Sequence, residues 1–229
     1  MTDVTHMQIS HDPEPVRLFK SDFLEFFTHI HPVVVLIIWV PVMVYFLADA
    51  FQDRLLAPHL SPSDQMASAG PGGAAYIPLG FLAGIFLWTF AEYTLHRFVF
   101  HFQPDSPWQE KVIFLFHGIH HLQPQCKTRL VMPPAVSIPM AVVFYLAYYL
   151  VFGALLGIPH WISPMFAGFI TGYLAYDMTH YATHHIPMRW GVFKFLKRYH
   201  MQHHYKTPDQ RYGVSSPLWD VVFRTLPSR

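Results

Sequence analysis

Charge is scarce in this chain of 229 residues: Asp, Glu, Lys and Arg make up 13%, about half of the roughly 25% found in soluble domains. The formal net charge is only +1, so there is no electrostatic ground for a nucleic-acid partner. Cysteine is nearly absent. With Cys126 alone, an intrachain disulfide and a thiolate zinc site are both excluded. The first 25 residues are polar and carry both charge signs, unlike a secretory signal.

The charges that remain are unevenly spread. Residues 26–48, 65–91 and 130–176 contain none at all. A membrane span needs about 20 apolar residues, so the third run, 47 residues long, has room for two helices. Gly157-Ile158-Pro159-His160 is the natural turn between them. The pattern predicts an all-α integral membrane protein with four transmembrane helices near 31–48, 76–95, 135–156 and 160–177. The first is short and carries Pro41, which favours a kink or tilt. Residues 1–30 form an N-terminal segment and 31–229 one domain, capped by a histidine-rich helical region drawn from 96–134 and 178–229. Of the 15 Lys and Arg residues, 14 fall in 1–30, 96–134 and 178–229, leaving only Arg54 opposite. The positive-inside rule then makes the cap cytoplasmic.

Histidine is what the chain has in excess, 17 in all. Ten form two clusters: His96, His101, His117, His120, His121 and His180, His184, His200, His203, His204. Adding 83 to 101, 117, 120 and 121 gives 184, 200, 203 and 204, so the clusters share a register. Neutral imidazole is a common metal ligand near neutral pH. Residues three and four apart lie on one helix face, so His117, His120 and His121 share a stripe, as do His200, His203 and His204. His180 and His184 share another. His96 and His101 are five apart and converge only if the helix ends there or contains a π-bulge. Two matching ligand sets for two ions follow.

Imidazole suits Zn, Cu, Fe and Ni alike. Carboxylates are few near the clusters, so a nearly all-histidine site is expected. Glu92 and Asp177, each just ahead of a cluster, are expected to orient imidazole N–H groups. His185 breaks the register and is expected to lie outside the ligand set. His6, His11, His29, His31, His59 and His160 lack partners at ligand spacing and are expected to be structural. Trp190–Tyr199 interleaves basic and apolar residues, which suits anionic headgroups.

The runs Glu92-Tyr-Thr-Leu-His96-Arg-Phe-Val-Phe-His101, His117-Gly-Ile-His120-His121, Tyr176-Asp-Met-Thr-His180-Tyr-Ala-Thr-His184-His185 and His200-Met-Gln-His203-His204 resemble the fatty acid hydroxylase superfamily. They are most similar to its fatty acid 2-hydroxylases acting on sphingolipid acyl chains. The resemblance spans roughly 76 to 220. It implies four membrane helices, a cytosolic cap, a dimetal centre with all ten histidines as ligands, and hydroxylation of the carbon beside the acyl carbonyl. Tyr176 and Asp177 are assigned to the catalytic site. The cofactors implied are two metal ions, iron for activity with zinc able to occupy purified protein, and O2.

Yeast and animal relatives carry an N-terminal haem domain of the cytochrome b type. No His-Pro-Gly-Gly motif stands here, so electrons are expected from a separate electron-transfer protein and the membrane is expected to be a bacterial inner membrane rather than the endoplasmic reticulum. The expected partners are a lipid acyl substrate and the bilayer. Phe81, Phe86, Trp88 and Phe90 are candidates for a wall along the acyl chain. A sterol- or carotenoid-type hydroxylase is the sister reading, and a membrane metal-binding or transport protein is the reading from another class. Transport would need polar residues within the spans, whereas these histidines stand at or beyond span ends.

Overall fold

A computed structural model describes residues 9, 10, 12, 14–56 and 75–227. His6, His11 and His59 lie outside the described residues, as does the side chain of Arg54. Among the described residues all regular structure is helical. In order these are α1 (Asp22–Phe26), α2 (Pro32–Leu56), α3 (Tyr76–Leu95) with a π-helical end His96–Phe100, and α4 (Pro107–Ile113). A π-helical turn, Phe114–Gly118, leads from α4 into α5 (Ile119–Leu122). There follow α6 (Pro134–Tyr148) with a π-helical end Tyr149–Leu155, a 3-10 turn Pro159–Trp161, α7 (Ile162–His185), α8 (Gly191–Tyr205) and α9 (Leu218–Val222).

Among the described residues three segments are long and apolar enough to cross a membrane: Pro32–Gln52, Tyr76–Phe100 and Pro134–Leu155. They correspond to the first three expected spans, and the first two helices run beyond the predicted ends. The fourth expected span falls in α7, a continuous helix of 24 residues. Its C-terminal half carries Tyr176, Asp177, His180, His184 and His185, which dilute its apolar character. The turn between α6 and α7 is where Gly157 and Pro159 put it, with Gly157 at φ 66°.

The chain divides into two compact units. One comprises Leu36–Trp88 and Pro134–Leu174 and is almost wholly apolar. Within it α3 and α7 approach backbone to backbone. A Cβ added to Gly84 would collide with the Met165 carbonyl, and one added to Gly168 with the Phe81 carbonyl. Gly80 with Gly84, and Gly168 with Gly172, give each helix the small-xxx-small spacing that lets apolar helices pack closely in lipid. Trp88 lies 5.1 Å from the Phe169 ring and 5.3 Å from that of Tyr173, and Trp39 lies 5.6 Å from Tyr173. The Trp39 indole N–H donates to the Ser137 hydroxyl (3.2 Å), a second tie between helices.

The other unit comprises residues 1–35, 89–133 and 175–229 and holds all ten clustered histidines. Its N-terminal segment is strapped to residues 122–129. Ser10 N–H donates to the Leu122 carbonyl (2.8 Å), and Val16 N–H to the side-chain oxygen of Gln123 (2.9 Å). Buried Arg129 donates to the Glu25 carboxylate (2.6 Å) and contacts His29 (3.1 Å). His29 also bonds to Thr128 at 2.9 Å, a structural role as its isolation in sequence suggests.

Candidate metal centre

The ten histidines are brought together as two groups of five. His96, His101, His117, His121 and His203 form the first, and His120, His180, His184, His200 and His204 the second. In each, one ring nitrogen per residue lies within 4.8 Å of all the others. His185 belongs to neither and instead packs on Tyr181 (4.9 Å).

Local structure explains how each imidazole arrives. The helix carrying His96 does end at His101, and it ends in a π-turn in which His101 N–H donates to the His96 carbonyl (3.0 Å). The wider turn brings two residues five apart onto one side. On α8, residues four apart differ by about 40° around the axis, whereas His203 and His204, adjacent in sequence, differ by about 100°. His200 and His204 therefore share one group and His203 joins the other. The pairing His117 with His121, against His120, repeats this around Gly118.

The expected two matching sets are thus corrected in one respect. Each cluster keeps four histidines and gives one, His120 or His203, to the other group. The 83-residue register survives as an exchange between halves.

The ring nitrogens that converge are Nε2 atoms. In the first group His117 lies 3.0 Å from His96 and 2.9 Å from His121, and His203 lies 3.1 Å from His101. In the second, His120 lies 2.9 Å from both His180 and His204, and His200 lies 2.9 Å from His184 and 3.0 Å from His204. A neutral Nε2 has one lone pair or one proton, so it can hydrogen-bond to only one such neighbour. His117, His120, His200 and His204 each have two. Shared ligation accounts for the arrangement better. With metal–nitrogen bonds of about 2.0–2.1 Å, ligands 90° apart would sit about 3.0 Å from each other.

Burial adds to this. Desolvation first, and neighbouring imidazoles second, hold His117, His120, His121, His200 and His204 well below the ordinary histidine range. They are neutral at pH 7, the state in which imidazole ligates. Ten neutral nitrogen donors and no carboxylate among them fit two first-row divalent ions.

The buried acids do something other than expected. Glu92 accepts from Val214 N–H (2.6 Å), Ser215 N–H (2.8 Å) and the Ser215 hydroxyl rather than from an imidazole. Its four-residue separation from His96 suggests contact, but it reaches the loop after α8. Both Asp177 oxygens accept from Met132 N–H (3.2 Å each). Among the described residues, the Nδ1 atoms of His120, His180, His184, His200 and His204 have no hydrogen-bond partner. Tyr176 is buried, its ring stacked 5.8 Å from that of His180.

Two imidazoles of the first group are oriented by backbone carbonyls: Tyr212 accepts from His96 Nδ1 and Gln210, at 2.7 Å, from His203 Nδ1. Nothing in the sequence marks a carbonyl for this task. Asp220 reads in the sequence as no more than an acid near the C-terminal end, yet it is fully buried and bonded to the same loop. Of the aromatic wall, Trp88 is core, while Phe86 and Phe90 are exposed, Phe90 lying 4.8 Å from Trp219.

The sequence profile of the fatty acid hydroxylase family matches residues 81–225, which include every clustered histidine. A dihydroceramide fatty acyl 2-hydroxylase of Arabidopsis thaliana is 36% identical over 94% of this chain and 81% of its own length. The fatty acid 2-hydroxylase of Homo sapiens is 35% identical over 94% of this chain and 58% of its own length. A solved structure of full-length scs7p, in which only the hydroxylase domain is visible, superposes with a TM-score of 0.75 at 32% identity. The match covers 98% of this chain and 82% of that one. These relatives are eukaryotic and lend no support to a bacterial inner membrane. With ten histidines arranged as two donor sets inside the matched region, the chain belongs to the fatty acid hydroxylase family.

Proposed function

We propose that this protein is an integral membrane monooxygenase that hydroxylates the 2-position of a fatty acyl chain in a sphingolipid or its precursor. The observation that carries the reading is the pair of five-imidazole groups within a chain 36% identical to a dihydroceramide fatty acyl 2-hydroxylase. Bound by these groups, two redox-active ions, taken here as iron, would supply the O2 activation needed to break an unactivated C–H bond.

The chain's own residues supply position and exclusion of water. His96, His117, His120, His180, His200, His203 and His204 are each at most 5% exposed, so competing solvent is kept from their ring nitrogens. Tyr176 and Asp177 enter this reading as positioning residues. The first packs on His180, and the second holds the Met132 backbone ahead of α6. In the proposed topology α7 completes four spans, residues 1–30 precede them, and the histidine-bearing segments 96–134 and 178–229 face the cytoplasm. The 14 basic residues in those two segments and residues 1–30 together support it. Electrons come from an electron-transfer protein on that side, and the acyl chain comes from the bilayer.

The test is expression in a host that lacks 2-hydroxy lipids, together with an electron donor, followed by mass spectrometry of total fatty acids. Acyl chains bearing one extra oxygen at carbon 2, absent with His120→Ala or His203→Ala, are the expected result. Oxygen at another carbon, or on an isoprenoid, would overturn the assignment of substrate.

A further inference from the structure

We infer that the two centres are unequal. The loop 210–216, clamped by Glu92 and Asp220, secures the ion of His96, His101, His117, His121 and His203, while the ion of the other five histidines is the exchangeable one. This rests on the two-ion reading above.

The loop is fixed on its amide side by two buried carboxylates. Asp220 takes the N–H groups of Tyr212 (2.9 Å) and Gly213 (2.8 Å), and Glu92 takes those of Val214 and Ser215. Four successive amides are thereby held, and the Thr225 hydroxyl donates to Asp220 at 2.6 Å. Arg211 N–H donates to the Thr225 carbonyl (3.1 Å), with Arg211 itself in the left-handed region at φ 59°. Gly213 leaves no room for a side chain, because a Cβ there would meet the Ser216 carbonyl.

The loop's carbonyl side is what the centre uses. Gln210 and Tyr212, on either side of Arg211, accept from Nδ1 of His203 and His96. An Nδ1–H held by a fixed acceptor leaves Nε2 as the ligand atom and sets the ring's orientation. Such outer contacts alter metal affinity by about 10–100-fold. Among the described residues the second group has no counterpart: all five of its Nδ1 atoms are buried without a hydrogen-bond partner. An imidazole that is unanchored behind its ligating atom can rotate away when its metal bond breaks. Glu92 and Asp220 are thus positioning residues acting through the loop backbone on one centre.

The experiment uses the full chain in detergent, loaded with zinc. Metal content is counted at the start and through a time course in excess chelator. Two ions per chain are expected, one leaving at least about tenfold faster than the other. His184→Ala should abolish the fast phase and His101→Ala the slow one. Glu92→Leu should speed the slow phase towards the fast one. Glu92→Gln, which keeps an oxygen for both amides, should restore it. Two ions leaving in a single phase, or a slow phase that survives His101→Ala, would overturn the inference. Fewer than two ions bound at the start would instead overturn the two-ion reading. If Glu92→Leu does not fold, the two histidine variants still decide the matter with the loop intact.

Discussion

Single imidazoles are tuned by what surrounds them, and this gives a pH prediction. His117, His120, His121, His200 and His204 are held below the ordinary histidine value by burial first and by neighbouring rings second. In the unfolded chain they titrate near about 6.5. Between that value and the lowered folded one, the unfolded state binds more protons, so stability falls as pH falls. The ion-free protein should therefore keep a constant Tm above about pH 7.5 and lose stability below about pH 6.5. Each such group contributes a slope of up to about 1.4 kcal/mol per pH unit. A Tm that is flat from pH 8 to pH 5.5 would show that these rings are not buried as described. At the same scale, adjacent histidines serve different groups because one helical step turns about 100°.

Helices add constraints that no single residue carries. α3 and α7 meet where Gly84 and Gly168 bring backbone against backbone. Gly84→Leu should cost about 1–3 kcal/mol or more, because the added atoms enter a packed interface. Gly153→Ala should be tolerated, its nearest neighbour being a side-chain carbon of Ile162 at 3.5 Å. Tm in detergent checks both. α8 makes a separate prediction. Its buried face carries Leu196, Tyr199, His200, His203 and His204, while Trp190, Val192 and Phe193 are 82%, 61% and 57% exposed. Lys194 and Arg198 are exposed beside them. If this face meets anionic headgroups, each basic residue contributes about 1 kcal/mol. Activity in nanodiscs should then rise with anionic lipid for the natural chain and respond less for Lys194→Gln with Arg198→Gln. Equal responses would remove α8 from the membrane surface.

For the whole molecule, orientation is directly measurable. With the proposed spans, the 14 basic residues on one side predict a cytoplasmic C-terminus. A C-terminal reporter active only in the cytoplasm should light, and the same reporter on the opposite side should not. The reverse result would invert the topology while leaving the metal centre untouched. Three of the four expected spans coincide with helices long and apolar enough to cross a membrane, because an uncharged apolar run about 20 residues long matches the thickness of a bilayer's hydrocarbon core. The fourth expected span falls in α7, which turns from apolar to histidine-bearing within one continuous helix.

The ten ligand candidates were likewise legible one by one, because spacing along a helix is a local property and a repeat offset of 83 is visible without coordinates. So was the need for either a helix end or a π-bulge between His96 and His101, which follows from five residues at 100° each. The grouping was not legible. Which imidazole joins which five depends on rotation between segments about 83 residues apart. Glu92 resembles a partner for His96 because helix spacing alone cannot show a loop arriving from residues 214–215. The orienting carbonyls of Gln210 and Tyr212 belong to backbone that every residue possesses. The sequence by itself determined the candidate donors and the helices that carry them, since both are written in local periodicity. Only the tertiary structure decided how the donors divide and what holds them, since those contacts join residues far apart in the chain.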